Sequence, residues 1–433
     1  MLAKHQRSVP NPNKIKREDL RVHEWYRFVL SYPPHLVREY MQEFGAGKSQ
    51  RVLDPFCGTG TTLVECKRLG IDSIGIEANP MAYFASRVKC DWTVDPDTLL
   101  KAAERIAKHA LRQFESEQIA DAPNGCSYES LGLIRTLEPG QEKLILKNSI
   151  SPLPLHKSLI LRDAVNEQAS GAVRDALLLA LAKVLVKDIA NLRFGPEVGL
   201  GTIKRDAAVV KPWREQAQLM AAQLRAVRRL KFASTEVVRA DARMASQLLR
   251  PGSITAVFTS PPYPNEKDYT RTTRLESVVL GLLSSKEELR AMKELLIRSN
   301  TRTVYVGDDD GRFVTHIPEI QALADEIECR RIALGKDSGF ERLYHRVTRL
   351  YFGGMAQHLE ELRAALKPGA LLGYVVGDQA SFFRVHIPTG DLLGKIASHL
   401  SYEVVRRDLF RERFATASKQ LLREEVLVLK WPG

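Results

Sequence analysis

The apolar run Arg51-Val52-Leu53 leads directly into Asp54-Pro55-Phe56-Cys57-Gly58-Thr59-Gly60-Thr61-Thr62, and this junction restricts the chain more than any other stretch. The run predicts a buried strand. Glycines placed immediately after it let the backbone turn sharply and allow a ligand to come close. A helical pattern follows through Leu69, where Gly70 stops it. The next strand, Ser73-Ile74-Gly75-Ile76-Glu77, ends in a carboxylate 17 residues after Gly60. Asn79 and Pro80 then form an N-cap and first-turn pair that opens another helix. Strand, glycine turn, helix, strand and acid in this order predict an open α/β sheet with its ligand at the carboxyl ends of the strands. An acid in that position can accept hydrogen bonds from ribose hydroxyls. The loop has neither GxGxxG spacing nor the GK[ST] of a phosphate loop, so a nucleoside without a pyrophosphate fits it better.

A second junction has the same form. The strand Ile254 to Thr259 runs into Phe258-Thr259-Ser260-Pro261-Pro262-Tyr263, which should also lie at the carboxyl edge of the sheet. Two prolines stiffen this turn and remove two amide donors, which leaves nearby carbonyls as bare acceptors. Ser260 adds a hydroxyl, and Tyr263 adds a flat face with a polar tip. A rigid cluster of this kind can accept hydrogens from an amino group while the ring stacks on the base that carries it.

Between and beyond these junctions the pattern changes. Residues 1–20 are polar and basic and read as a flexible arm, and 21–92 as the first part of the sheet domain. Across 93–235, apolar residues recur at helical spacing in 97–114, 171–192 and 213–230, which predicts a mostly helical insert. Phe194-Gly195-Pro196-Glu197 through Gly201 reads as a link within it. The second part of the sheet domain, 236–433, opens with the strand Glu236 to Ala240. It continues through a helix-rich excursion at 276–366 to strands at Ala370 to Val376, Glu403 to Asp408 and Glu424 to Trp431. The last pair is placed as the antiparallel edge of an otherwise parallel sheet.

Together, DPFCGTGTT and TSPPY resemble the amino-methyltransferases of DNA, the family that makes N4-methylcytosine and N6-methyladenine. The resemblance covers roughly 20–92 and 236–433. It implies a Rossmann-like class I methyltransferase sheet and S-adenosyl-L-methionine as cofactor. The cofactor-binding residues it implies are Tyr26, Asp54, Phe56, Gly58, Gly60, Thr61, Thr62, Glu77 and Asp241. Asp54 would lie near the methionine end, Glu77 on the ribose and Asp241 at the adenine amino group. The stretch Trp25 to His35 looks like the family's additional cofactor-side motif. Ser260, Pro261, Pro262 and Tyr263 would be the catalytic motif. They would act by direct methyl transfer to a base flipped out of the duplex and stacked on Tyr263. Carbon-5 methylation of cytosine requires a cysteine nucleophile after a proline, and no Pro-Cys dipeptide occurs. Cys57 is read instead as a small packing residue. Serine at the first catalytic position accompanies cytosine N4 more often than adenine N6 in the family.

The formal net charge of +12 suits a polyanionic partner, here double-stranded DNA read sequence-specifically. It disfavours a small-molecule N-methyltransferase. RNA base methylation, adenine N6 methylation and a non-catalytic nucleic-acid-binding role remain the competing classes. A partner restriction endonuclease and a homodimer are both compatible with the sequence, which specifies neither. The five cysteines form no CxxC pair, and His35 and His386 have no partners at metal spacing, so no metal site is expected. The N-terminal residues show no apolar signal segment, and the apolar stretch Ala176 to Val186 is too short to span a bilayer. The expected location is cytoplasmic.

Overall fold

The computed structural model describes residues 5–6, 17–26, 31–122, 134–195, 197–230, 233–415 and 419–433. Most of the arm expected at 1–20, residues 27–30 of the additional cofactor-side stretch, and Cys126 lie outside these.

The described strands are β1 (His5–Gln6), β2 (Arg51–Asp54), β3 (Asp72–Ile76), β4 (Leu192–Phe194), β5 (Val198–Leu200), β6 (Thr235–Val238), β7 (Ile254–Thr259), β8 (Leu366–Gly377), β9 (Glu403–Ala415) and β10 (Gln420–Lys430). All but β4 and β5 join one eight-stranded sheet in the order β1-β9-β10-β8-β7-β2-β3-β6. Neighbours from β8 through β7, β2 and β3 to β6 are parallel. Strand β10 is antiparallel to both β8 and β9. The chain thus has the mostly parallel Rossmann-like α/β architecture expected, except that the last pair is not the edge: β1 adds outside β9, and the antiparallel β10 stands two places in.

Side chains alternate between the two faces, as the pleat requires. Val52, Ala256, Phe258, Val375, Val426 and Val428 pack with the helix Pro34–Glu43 on one face. Leu53, Val257, Leu372, Tyr374, Leu427 and Leu429 pack on the other, with the helices Pro318–Ala333, Tyr344–Leu362 and Thr389–His399. A parallel sheet needs cover on both faces, and these helices provide it.

The helices of the insert, Pro96–Ser116, Pro152–Gln168, Gly171–Val184 and Val210–Val227, share one core with Met81, Phe84 and Val88 and with Leu275 to Leu283. The apolar stretch at Ala176 to Val186 is therefore core, and among the described residues no helix is long and apolar enough to cross a membrane. The helix Pro152–Gln168 was not singled out from sequence. The link expected at Phe194 to Gly201 is a small hairpin of β4 and β5.

Close packing at Gly353 connects the far helical layer to the site. An added Cβ there would run into the backbone carbonyl of Asp310. The Asp310 carboxylate in turn accepts from Arg243 at 2.6 Å. Backbone cannot yield as a side-chain tip can, so Gly353→Ala is expected to destabilise the chain by roughly 1–3 kcal/mol. At Gly354 the nearest atom is the mobile Cδ1 of Ile297 at 3.2 Å. Gly354→Ala should cost less, and thermal melts of the two variants compared with wild type check the ranking.

Candidate functional site

Strands β2 and β7 are parallel neighbours, with Val52 opposite Ala256 and Leu53 opposite Val257. This register brings their carboxyl ends, and the two turns that follow, side by side. The fully buried Asp54 ties them together. Its Oδ1 accepts from the Thr259 hydroxyl at 2.6 Å and from the Phe56 N–H at 3.2 Å, and its Oδ2 accepts from the Tyr32 hydroxyl at 3.0 Å. Thr62 adds a second link, its Oγ1 donating to the Phe258 carbonyl at 3.1 Å. Gly60 adopts φ +82° at the start of the helix Thr61–Leu69, and an added Cβ would stand 3.1 Å from that of Ser86, so glycine suits the turn.

The two turns open into one cavity of about 500 Å³, within the usual range for small-molecule sites. From the glycine side it is lined by Phe56, Gly58, Thr61, Glu77 and Asn79, with Ser31, Tyr32 and Pro33. From the diproline side it is lined by Ser260, Pro261, Pro262 and Tyr263, then Asn265, Lys267 and Tyr269. Gln379, Phe410, Arg411, Arg413 and Glu424 close the far wall.

Some residues singled out from sequence stand behind this surface. Asp54, Gly60 and Thr62 do not line the cavity but hold its turns. Tyr26 directs its hydroxyl to Glu276 and sits in the core shared with the insert. Asp241 caps the short turn Ala242–Met244, accepting from the Arg243 N–H at 2.8 Å, while the Arg243 guanidinium meets both its oxygens at 2.7–3.1 Å. Its neighbours Ala240 and Ala242 are what reach the cavity.

The carboxylate of Glu77 accepts the Gly58 N–H at 2.8 Å on one oxygen and the Asn79 N–H at 2.7 Å on the other. Burial nevertheless pushes its pKa up to about 7, and burial pushes Asp54 up to about 6. Burial also raises the Cys57 thiol well above its ordinary range, so it is not a thiolate nucleophile. Gly75 makes room for this thiol, since a Cβ there would lie 2.8 Å from the Cys57 Sγ. Ser260 donates to the Val375 carbonyl at 3.1 Å, which commits its proton and leaves its oxygen as an acceptor. Burial holds Tyr263 neutral, and its ring lies against Gly377, where an added Cβ would stand 3.1 Å from the Tyr263 Cε2.

The far wall was not legible from sequence. The sequence ends the strand that opens at Glu403 at Asp408, but the ladder of β9 runs on to Ala415 and carries Arg411 and Arg413 as strand residues. Arg411 pairs with Glu424 and Leu409 with Glu425, which leaves Phe410 as the extra residue of a bulge. A bulge re-aims the side chains beside it, and here Phe410 and Arg411 both reach the cavity. The alternating Arg411 and Arg413 were the only local hint of a continued strand.

A family profile described as "DNA methylase", of the N6/N4 type, matches residues 7–86, which include the glycine turn and Glu77. The chain is 25% identical to the type II methyltransferase M.BsoBI of Geobacillus stearothermophilus, over 92% of this chain and 82% of that protein. It is 21% identical to the type II methyltransferase M.AvaI of a Nostoc species, over 95% of this chain and 86% of that protein. A shorter stretch, 17% of this chain and 14% of the other, is 36% identical to the type II methyltransferase M.MjaII of Methanocaldococcus jannaschii.

Proposed function

The chain belongs to the DNA amino-methyltransferase family, and on that footing we propose that it methylates the N4 amino group of cytosine in DNA, using S-adenosyl-L-methionine. One observation carries this reading: the glycine turn after β2 and the Ser260–Tyr263 turn after β7 line a single cavity. The similar proteins named type II methyltransferases support a methyltransferase role, and the reading adds double-stranded DNA read sequence-specifically and a partner restriction endonuclease.

The residues present suit the cofactor. Gly58 leaves the backbone open on the cavity side, and Glu77 presents carboxylate oxygens there that still have lone pairs for ribose hydroxyls. Phe56 offers an aromatic face beside Ala240 and Ala242 for an adenine ring. When bound, S-adenosyl-L-methionine supplies an electrophilic methyl group on a sulfonium. Asp54 acts from behind, fixing both turns.

On the opposite side, Tyr263 receives the flipped base. The exocyclic nitrogen is a poor nucleophile because its lone pair is delocalised into the ring. Acceptance of its hydrogens by the Ser260 oxygen and the Pro261 carbonyl favours a more tetrahedral nitrogen and frees that lone pair for in-line attack; the bond from sulfur to methyl would break as the bond to nitrogen forms, and the nitrogen would then release one proton to water. Rigid alignment of this kind contributes up to roughly 7–11 kcal/mol. No enzyme nucleophile is required.

Two results test the assignment. Incubation with duplex DNA, single-stranded DNA and RNA, followed by nucleoside mass spectrometry, should yield N4-methylcytosine from duplex DNA. N6-methyladenine, or methylated nucleosides from RNA alone, would displace the reading. The second result concerns Glu77, whose carboxyl rises from its ordinary 4.5 to about 7 in the folded chain. A raised carboxyl contributes stability below its unfolded value and loses that contribution as pH rises through its folded value. The stability difference between wild type and Glu77→Gln should therefore shift toward the variant from about pH 4.5 to 7. Cofactor affinity of the wild type should rise over the upper part of this range, because the ionised carboxylate is the better acceptor. Glu77→Gln should flatten that rise, and calorimetric titration at several pH values checks it.

A further inference from the structure

Beside Tyr263 the cavity wall carries more positive than negative charge. Lys267, Arg411 and Arg413 stand there with Glu424. Glu424 is already neutralised, because Arg411 grips it with Nε at 2.5 Å and Nη2 at 2.8 Å. Other nearby carboxylates are also taken. Asp268 accepts from the Thr270 hydroxyl at 2.5 Å and faces Lys293 at 3.4 Å, Glu266 accepts from the Thr301 hydroxyl at 2.9 Å, and Asp378 accepts from Arg423 at 3.0 Å.

Two cations are left poorly matched. Arg413 has only long contacts, 3.4 Å to the Asp378 carbonyl, 3.4 Å to the Gln379 Oε1 and 3.8 Å to Glu424. The half-buried Lys267 ammonium has no hydrogen-bond or ion-pair partner among the described residues. Burial, together with the positive charge of Arg413, disfavours its charged form, and the opposing pull of Glu424 does not offset them. Cations held together without a matching anion suit an anionic ligand between them.

The same lysine also lines a small hollow of about 30 Å³ with Arg271 and Arg302, against Glu197 and the already paired Asp268, so that three cations there face two acids. Positive charge thus continues from the base side of the cavity into a second hollow, as a polyanion requires, rather than ending in a pocket for one small anion. Resting on the reading above, we propose that Lys267 and Arg413 clamp the phosphodiester backbone beside the flipped nucleotide. Arg411 keeps Glu424 from repelling that backbone.

The test uses the full chain, a fluorescein-labelled oligonucleotide duplex titrated across KCl concentrations, and genomic DNA for turnover. Lys267→Met and Arg413→Gln should each lower the slope of log affinity against log salt by about 1. Each should weaken duplex binding roughly ten-fold at low salt, with little dependence on sequence. Lys267→Arg should restore the slope. Cofactor affinity and Tm should stay at wild-type values, which a merely structural role would not allow. A wild-type enzyme that methylates DNA while both variants keep its salt slope overturns the clamp alone. Inorganic phosphate raising Tm as much as the duplex does, with no slope change in the variants, marks a free-anion site and also overturns it. A wild-type chain that methylates no DNA overturns the parent reading, and the clamp with it.

Discussion

Tyr263→Ala is expected to lower methyl transfer to DNA by roughly 10- to 100-fold while leaving cofactor affinity unchanged. Stacking of a base on an aromatic side chain contributes about 1–3 kcal/mol, which sets this range. The ring lies against the Cα of Gly377 and is buried beside Glu424. Its removal leaves a void where the base would be held, on the side of the cavity away from Glu77. Tyr263→Phe keeps the flat face and should retain most of the turnover. Single-turnover kinetics, with cofactor binding measured separately by calorimetry, distinguishes the effects. If cofactor affinity falls in step with turnover, Tyr263 supports the cofactor and the base-stacking role is lost.

The second large effect belongs to Asp54, and it differs in kind. Asp54 does not line the cavity, so its removal acts through the turns it holds. In Asp54→Ala the Thr259 hydroxyl, the Phe56 N–H and the Tyr32 hydroxyl each lose an acceptor. A buried donor left unsatisfied costs about 1–3 kcal/mol. Stability, cofactor affinity and turnover should therefore fall together, with cofactor affinity down at least ten-fold. Asp54→Asn keeps the shape and one acceptor oxygen, and its losses should be smaller. Thermal melts and calorimetry on both variants check the order. Wild-type cofactor affinity in Asp54→Ala would show that the joined turns do not shape the binding surface.

The pH behaviour of Asp54 follows from its burial. Its carboxyl rises from 3.8 to about 6, so the stability it contributes is present below about pH 4 and lost as pH rises through about 6. The Tm difference between wild type and Asp54→Ala should narrow over that interval.

Much of the architecture was legible because its signals are local. A strand followed by glycines, Gly70 closing a helix and Asn79 capping the next all act within a few residues, and each appears in the fold where the sequence places it. The same holds for the diproline turn after β7. Local patterns could not show what each side chain meets from elsewhere in the chain. The resemblance places Asp54 near the methionine end of the cofactor, and the structure shows its carboxylate meeting Thr259, 205 residues away. Tyr26 was read as a cofactor-side residue, yet its hydroxyl meets Glu276, 250 residues away. The bulge at Phe410 depends on how β9 pairs with β10, which no window of a few residues contains.

The order of residues alone determined that two sharp turns follow buried strands, one allowed by backbone freedom at glycine and one stiffened by proline, which are properties of those residues wherever they stand. Only the tertiary structure decided that these turns share a cavity, that Asp54 joins them from behind, and that Lys267 and Arg413 line that cavity with Tyr263. Those relations come from strand register and from burial, which bring distant residues together and are settled only when the whole sheet has assembled.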